Sequence, residues 1–233
     1  SGYAVEPGLG VSHAPGVPPR FHRSLIMSDR PIIECKPDGP YLVKDIPDLR
    51  SSNGQSIASQ PVVALCRCGG SSNKPFCDGT HRRNGFSGAR VAATSPAERV
   101  DYRAPGITIH DDRAICAHAG RCTDGLASVF KYGAEPWIDP AAASVTSIVE
   151  TIRRCPSGAL SYTLDRPEAP QEPPPPLVVV SKDGPYEVSG GVALEDPATG
   201  QTGTTTRYTL CRCGGSKNKP FCDGTHKLVG FKS

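Results

Sequence analysis

Nine of the ten cysteines in this 233-residue chain fall into three triplets, Cys66/Cys68/Cys77, Cys116/Cys122/Cys155 and Cys211/Cys213/Cys222, with Cys35 left over. The run from Cys66 to His81 recurs, one residue changed, from Cys211 to His226. Each copy is a Cys-x-Cys-x8-Cys-x3-His array of three thiolates and one imidazole. Such soft-to-borderline donors suit iron–sulfur chemistry or zinc, whereas calcium and magnesium want oxygen. Cys66 and Cys68 flank a single residue, so both sulfurs can reach one metal. Pro75 reads as a helix start, making Phe76 onward a short helix on which Cys77 and His81, four residues apart, share a face and grip a second metal. Gly69, Gly70 and Gly79 let backbone approach a bulky inorganic core. Asp78 and Thr80 are placed to satisfy helix N–H groups or to hold the ligands in position. A two-iron, two-sulfide group fits this two-plus-two pattern. Zinc accepts the same ligands, although structural zinc more often takes Cys-x2-Cys knuckles.

The repeat extends beyond the ligands. Asp38-Gly39-Pro40-Tyr41 returns as Asp183-Gly184-Pro185-Tyr186, Leu65 as Leu210 and Gly85-Phe86 as Gly230-Phe231, always at an offset of 145 residues. A duplicated domain with other material between the copies explains this. Both copies resemble the CDGSH iron–sulfur domain of the mitoNEET type, whose signature Cys-x-Cys-x2-(Ser/Thr)-x3-Pro-x-Cys-Asp-Gly-(Ser/Ala/Thr)-His they meet in full. The resemblance covers 31–88 and 177–233. It implies a 2Fe–2S cluster in each copy, held by Cys66, Cys68, Cys77 and His81 and by Cys211, Cys213, Cys222 and His226. It also implies a β-rich fold that normally pairs into a homodimer. Two copies in one chain point to an internal pseudo-dimer. At about 57 residues a copy is near the lower limit for a self-sufficient core, so metal and partner copy should both support it.

Between the copies, Cys116-Ala-His-Ala-Gly-Arg-Cys122 and the later Cys155-Pro156 look like a bacterial ferredoxin run with one ligand missing. Ala119 stands at the middle cysteine position, and Leu126 where the ligand to a second cluster would be. Residues 105–165 thus resemble a divergent single-cluster ferredoxin. Cys116, Cys122 and Cys155 suffice for a 3Fe–4S cluster. A 4Fe–4S cluster would draw a fourth ligand from elsewhere, His118 or solvent, although His118 reads better as a supporting or solvent-facing residue. A cluster-free or zinc relic is the plainer alternative.

These ligands need elements to position them. Ile32–Ile33, Tyr41–Val43, Val62–Leu65, Ile107–Ile109 and Leu177–Val180 read as strands. Val145, Ile148, Val149 and Ile152 form an apolar stripe on a helix near 141–154. Residues 89–104 read as a polar linker. Residues 166–176, with four consecutive prolines, read as a stiff spacer. Residues 1–30 read as a disordered or vector-derived extension without a signal-peptide pattern, and Met27 as a candidate start. Trp137 is expected to pack in a core and Cys35 to act as a small buried hydrophobe, while His13, His22 and His110 lack ligand context. The fold class expected is α+β and β-rich: two CDGSH domains packed together, with an inserted α+β ferredoxin-like domain.

No apolar run approaches the ~20 residues that span a bilayer. The formal charge of +3, with scattered basic residues, gives no nucleic-acid footprint. No Gly-x-Gly-x-x-Gly run follows a strand, and no nucleophile–base pairing stands out, so no catalytic residue is nominated. Thiolates kept as ligands imply a reducing compartment, the cytoplasm. The expectation is a soluble multi-cluster electron carrier working with a redox protein partner. The alternative is cluster storage, transfer to an apo-acceptor, or redox and pH sensing.

Overall fold

The computed structural model describes residues 31–57, 60–91, 99–168, 172–196, 201–204 and 206–233, together with residue 2. The expectations for 1–30, including His13, His22 and Met27, lie almost entirely outside the described residues. In the first repeat, β1 (Ile32–Cys35), β2 (Tyr41–Lys44) and β4 (Val62–Leu65) form an antiparallel meander, while β3 (Leu49–Ser51) lies apart from it. Side chains alternate as a half-buried strand requires: Ile33 and Cys35 point into the core, Ile32 and Glu34 outward. The β1–β2 turn is closed by Lys36 N–H bonding to Pro40 O at 3.0 Å, with Asp38 at φ 44°. The Asp38 carboxylate also accepts the Gly88 N–H at 2.7 Å, tying the turn to the end of the repeat. Asp183 accepts the Ser233 N–H at 2.8 Å in the same way.

The middle segment folds as the sheet β5 (Val100–Ala104), β6 (Ile107–Asp111), β7 (Leu160–Leu164), covered by α1 (Arg121–Gly125) and α2 (Val145–Arg153). Ser144 caps α2 by accepting the Ser147 N–H at 3.2 Å, and the helix buries Ile148, Val149 and Ile152. These join Ile107, Ile109, Phe130 and Ile138 in one core. Trp137 packs on its edge. The second repeat supplies β8 (Leu177–Val180), β9 (Tyr186–Ser189), β10 (Ala193–Asp196), β11 (Gln201–Thr204), β12 (Arg207–Leu210) and α3 (Thr225–Leu228).

Strands cross between the repeats. The five-stranded sheet runs β11-β10-β1-β2-β4, with β10 of the second repeat parallel to β1 of the first. The four-stranded sheet runs β12-β9-β8-β3, with β3 of the first repeat parallel to β8 of the second. A single core holds Ile33, Tyr41, Val43, Leu49 and Leu65 against Val178, Tyr186, Val188, Leu194 and Leu210. Cys35 sits in this core at 1% exposure, and burial pushes its thiol up to about 12, as expected of a small buried hydrophobe.

Two local readings are corrected. Residues 100–104, read as linker, form β5, paired along its length with β6. Phe76 does not begin a helix. Cys66 N–H bonds to Pro75 O and Cys77 N–H to Ala64 O, both at 2.8 Å, so this segment continues the sheet edge as a bridge between Leu65 and Phe76. Helical turning starts only at Thr80–Arg82, as a single 3₁₀ turn.

Candidate metal centres

Each repeated loop leaves its meander strand directly into the cysteines. Cys66 and Cys68 follow β4, and their sulfurs stand 3.9 Å apart; Cys211 and Cys213 follow β12 with sulfurs 3.8 Å apart. Across each loop, Cys77 Sγ lies 3.4 Å from His81 Nδ1, and Cys222 Sγ lies 3.4 Å from His226 Nδ1. The thiol–imidazole pairing is met with only the histidine on a helical turn, His81 in Thr80–Arg82 and His226 in α3, because Gly79 (φ 83°) and Gly224 (φ 84°) turn the chain between cysteine and histidine. The donors are grouped in pairs. Among the described residues, no three Cys, His, Asp or Glu side chains converge on a position for a single metal ion.

The loop is braced by its own polar residues. Asp78 accepts the Ser72 N–H and hydroxyl, each at 2.9 Å, and the Thr80 N–H at 3.0 Å. Hydrogen bonds from Thr80 and Ser72 hold its carboxyl far below the usual carboxylate range. Asp223 accepts from Lys217 and Thr225 N–H. Burial works against its charge, yet those bonds still hold it below its ordinary value. Ser71 and Ser216 each donate to a phenylalanine carbonyl five residues on, at 2.7 Å.

The two loops also brace each other. A Cβ on Gly69 would stand 2.5 Å from Cys213 O, and one on Gly214 would stand 2.5 Å from Cys68 O. Backbone meets backbone there. Arg67 and Arg212, the residues between the paired cysteines, are buried at 3% exposure. Arg67 donates to Lys36 O and Gly88 O and lies over Tyr41, while Arg212 donates to Ser181 O and Gly184 O and lies over Tyr186. Burial pushes the Cys66 thiol up, and pushes Cys222 up to about 12. Cys211 is raised by the adjacent Cys213 sulfur and by burial, while the hydrogen bond with Cys211 draws Cys213 down. Buried thiolates of this kind are costly unless cations neutralise them. The donor set, its pairing and its burial all fit an iron–sulfur group.

Cys116, Cys122 and Cys155 line one open cleft in the middle domain. Burial raises the thiols of Cys116 and Cys122. Cys116 leaves a 3₁₀ turn capped by Asp112; Cys122 lies in the first turn of α1, behind Gly120 and Arg121; Cys155 ends the turn after α2. Ala119 lines the same cleft. His118 is exposed, in keeping with its reading as a solvent-facing residue, and its imidazole also packs on Gly224, where an added Cβ would meet its Cδ2 at 2.7 Å. Nothing in the sequence marked that contact. His110 is also more engaged than expected, with Nδ1 2.6 Å from Asp101 and Nε2 2.8 Å from the Thr163 hydroxyl.

Comparison with known families matches residues 38–82 and 183–227 to the iron-binding zinc finger of CDGSH type, and residues 102–165 to the divergent 4Fe-4S mono-cluster family. Among curated proteins, "Uncharacterized protein YjdI" of Escherichia coli strain K12 is 39% identical over 61 residues, 26% of this chain and 80% of that protein. The protein of the same title from Escherichia coli O157:H7 matches to the same extent. No solved structure matches the chain.

Proposed function

We propose that this chain, which belongs to the CDGSH-type iron-binding family and carries a divergent 4Fe–4S mono-cluster domain between its two CDGSH copies, is a multi-cluster electron carrier. In this reading, Cys66, Cys68, Cys77 and His81 hold one 2Fe–2S cluster, and Cys211, Cys213, Cys222 and His226 hold another. Cys116, Cys122 and Cys155 hold a 3Fe–4S cluster, or a 4Fe–4S cluster if a fourth ligand joins. The observation that carries it is the pairing of donors, two sulfurs at 3.8–3.9 Å and a sulfur–imidazole pair at 3.4 Å, in both loops. Bound clusters of these types supply reversible one-electron chemistry. The chain's own contribution is to hold thiolates close and to replace one thiolate by a neutral imidazole, which favours a higher potential. The exchanged strands and common core support the reading of the two copies as an internal pseudo-dimer, with the middle domain as an insertion.

The role of carrier implies a protein partner that donates or accepts single electrons, in a reducing compartment such as the cytoplasm. Among the described residues no helix is long and apolar enough to cross a membrane. An anaerobic reductive titration tests the proposal: reversible reduction at more than one potential supports it, and irreversible bleaching on the first electron contradicts it. A second reading, delivery of clusters to an apo-acceptor, draws support from the partial exposure of Cys77 and His81. Transfer to an apo-ferredoxin that His81→Cys and His226→Cys abolish would favour delivery over carriage.

A further inference from the structure

The two ligand loops are nearly identical in sequence but differ in their surroundings. Cys222, Gly224 and His226 are buried, whereas their counterparts Cys77, Gly79 and His81 are each partly exposed. The middle domain makes the difference. His118 sits on Gly224, and Lys227 Nζ donates to His118 O at 2.6 Å. Asn218 donates to Ala114 O at 2.6 Å. Arg121 Nη2 donates to both carboxylate oxygens of Glu187, at 2.6 and 2.7 Å, an ion pair between the middle domain and β9. The cleft holding Cys116, Cys122 and Cys155 is also lined by Asp223, Gly224, Lys227 and Leu228 of the second loop. At Gly79, by contrast, an added Cβ meets nothing within 4 Å. Among the described residues, the cleft beside His81 is lined by first-repeat residues, among them Lys36, Cys77 and Arg82.

We propose that the middle domain clamps the second ligand loop shut, leaving the first as the port through which iron and sulfide exchange or a partner makes contact. The proposal rests on the reading that both loops hold two-iron clusters. The two copies then differ in role, the His226 loop being a retained site coupled to the middle domain and the His81 loop the exchangeable one. Opening the second loop requires breaking the Arg121–Glu187 pair and lifting His118, a local opening the first loop does not need.

The test uses holo-protein whose iron and sulfide have first been counted, exposed to excess desferrioxamine in the presence of iodoacetamide. The chelator takes ferric iron and is cationic, so Arg82 gives the first loop no advantage. Each freed thiolate displaces iodide to form a thioether, and peptide mapping follows every cysteine separately. Cys66, Cys68 and Cys77 should be alkylated about tenfold faster than Cys211, Cys213 and Cys222, the scale of about 1.4 kcal/mol of docking contacts. Arg121→Glu should bring the second loop up to the rate of the first, and the charge swap Arg121→Glu with Glu187→Arg should restore the difference. Equal rates in the wild-type protein would overturn the proposal. Starting material without iron and sulfide would instead overturn the cluster reading beneath it.

Discussion

Tyr41 and Tyr186 meet edge to face at the centre of the molecule, ring centroids 6.0 Å apart, and each reaches across to the other repeat's ligand loop. Tyr41 donates to Cys211 O at 2.9 Å and Pro220 O at 3.1 Å; Tyr186 donates to Cys66 O at 2.9 Å and Pro75 O at 3.1 Å. Both side chains are fully buried. Each metal-binding loop is therefore held by a hydroxyl from the opposite copy, so the loops should fail across repeats.

Tyr41→Phe leaves the ring in place but strips buried acceptors of the second loop, at a cost of roughly 1–3 kcal/mol. Denaturant unfolding should show that loss, and cysteine alkylation under chelation should speed up at Cys211, not at Cys66. Tyr186→Phe should do the reverse. Faster release confined to the mutated repeat would contradict the crossed arrangement.

Glycine substitutions separate close backbone approach from conformation alone. Gly69→Ala drives a Cβ to 2.5 Å from Cys213 O, at a residue with φ 76°. Gly79→Ala shares the positive φ (83°) but meets nothing. The second should cost about 1 kcal/mol, the ordinary penalty for left-handed backbone without glycine, while the first should cost several-fold more or prevent holo-protein from accumulating. Thermal melting of the two variants side by side checks this.

In the middle domain, Cys116→Ser, Cys122→Ser and Cys155→Ser should each abolish the paramagnetic signal of that cluster while leaving both CDGSH clusters. Ala119→Cys puts a fourth thiol into the same cleft and should convert a three-iron centre into a four-iron one. Resonance spectra of the oxidised protein, with iron content, distinguish the outcomes; an unchanged three-iron signal would place Ala119 outside ligand reach.

The pH response should come from the imidazoles. Asp78 and Asp223 have folded pKa values depressed below their unfolded value, about 3.9 for aspartate. Their stabilisation is fully present above that value and is lost only as pH falls through the lower folded one. Between pH 5 and 7 it is constant. Histidine ordinarily titrates near about 6.5, and protonation removes the lone pair that binds iron. Burial and the neighbouring Lys227 draw His226 below that value, so visible absorption should fade faster only as pH falls below the ordinary histidine range. The pH dependence should flatten in the His81→Cys, His226→Cys double variant.

How much was legible in the sequence followed from the range of the interactions. The donor arrays are local, four side chains within 16 residues, so spacing alone announced them and the structure groups them as pairs. The α2 stripe and the main strands were equally local. Strand exchange was not legible, because β3 and β10 are three and four residues long and their partners lie in the other copy. Val100–Ala104 passed for a linker although Val100, Tyr102 and Ala104 alternate with Asp101 and Arg103 as a strand does, because the run is short, no residue in it is fully buried, and it pairs with β6 alone. Pro75 suggested a helix start, but backbone bonds to Ala64 and Cys66 outcompeted it. The seat of His118 on Gly224 depends on how two domains meet, which no spacing encodes.

Electron paramagnetic resonance on anaerobically purified protein, paired with iron and acid-labile sulfide counts, tests the central claim most directly. The account predicts coloured protein with two two-iron centres, visible on reduction, and one separate cluster belonging to the middle domain. Folded, colourless protein carrying zinc and no sulfide would contradict it.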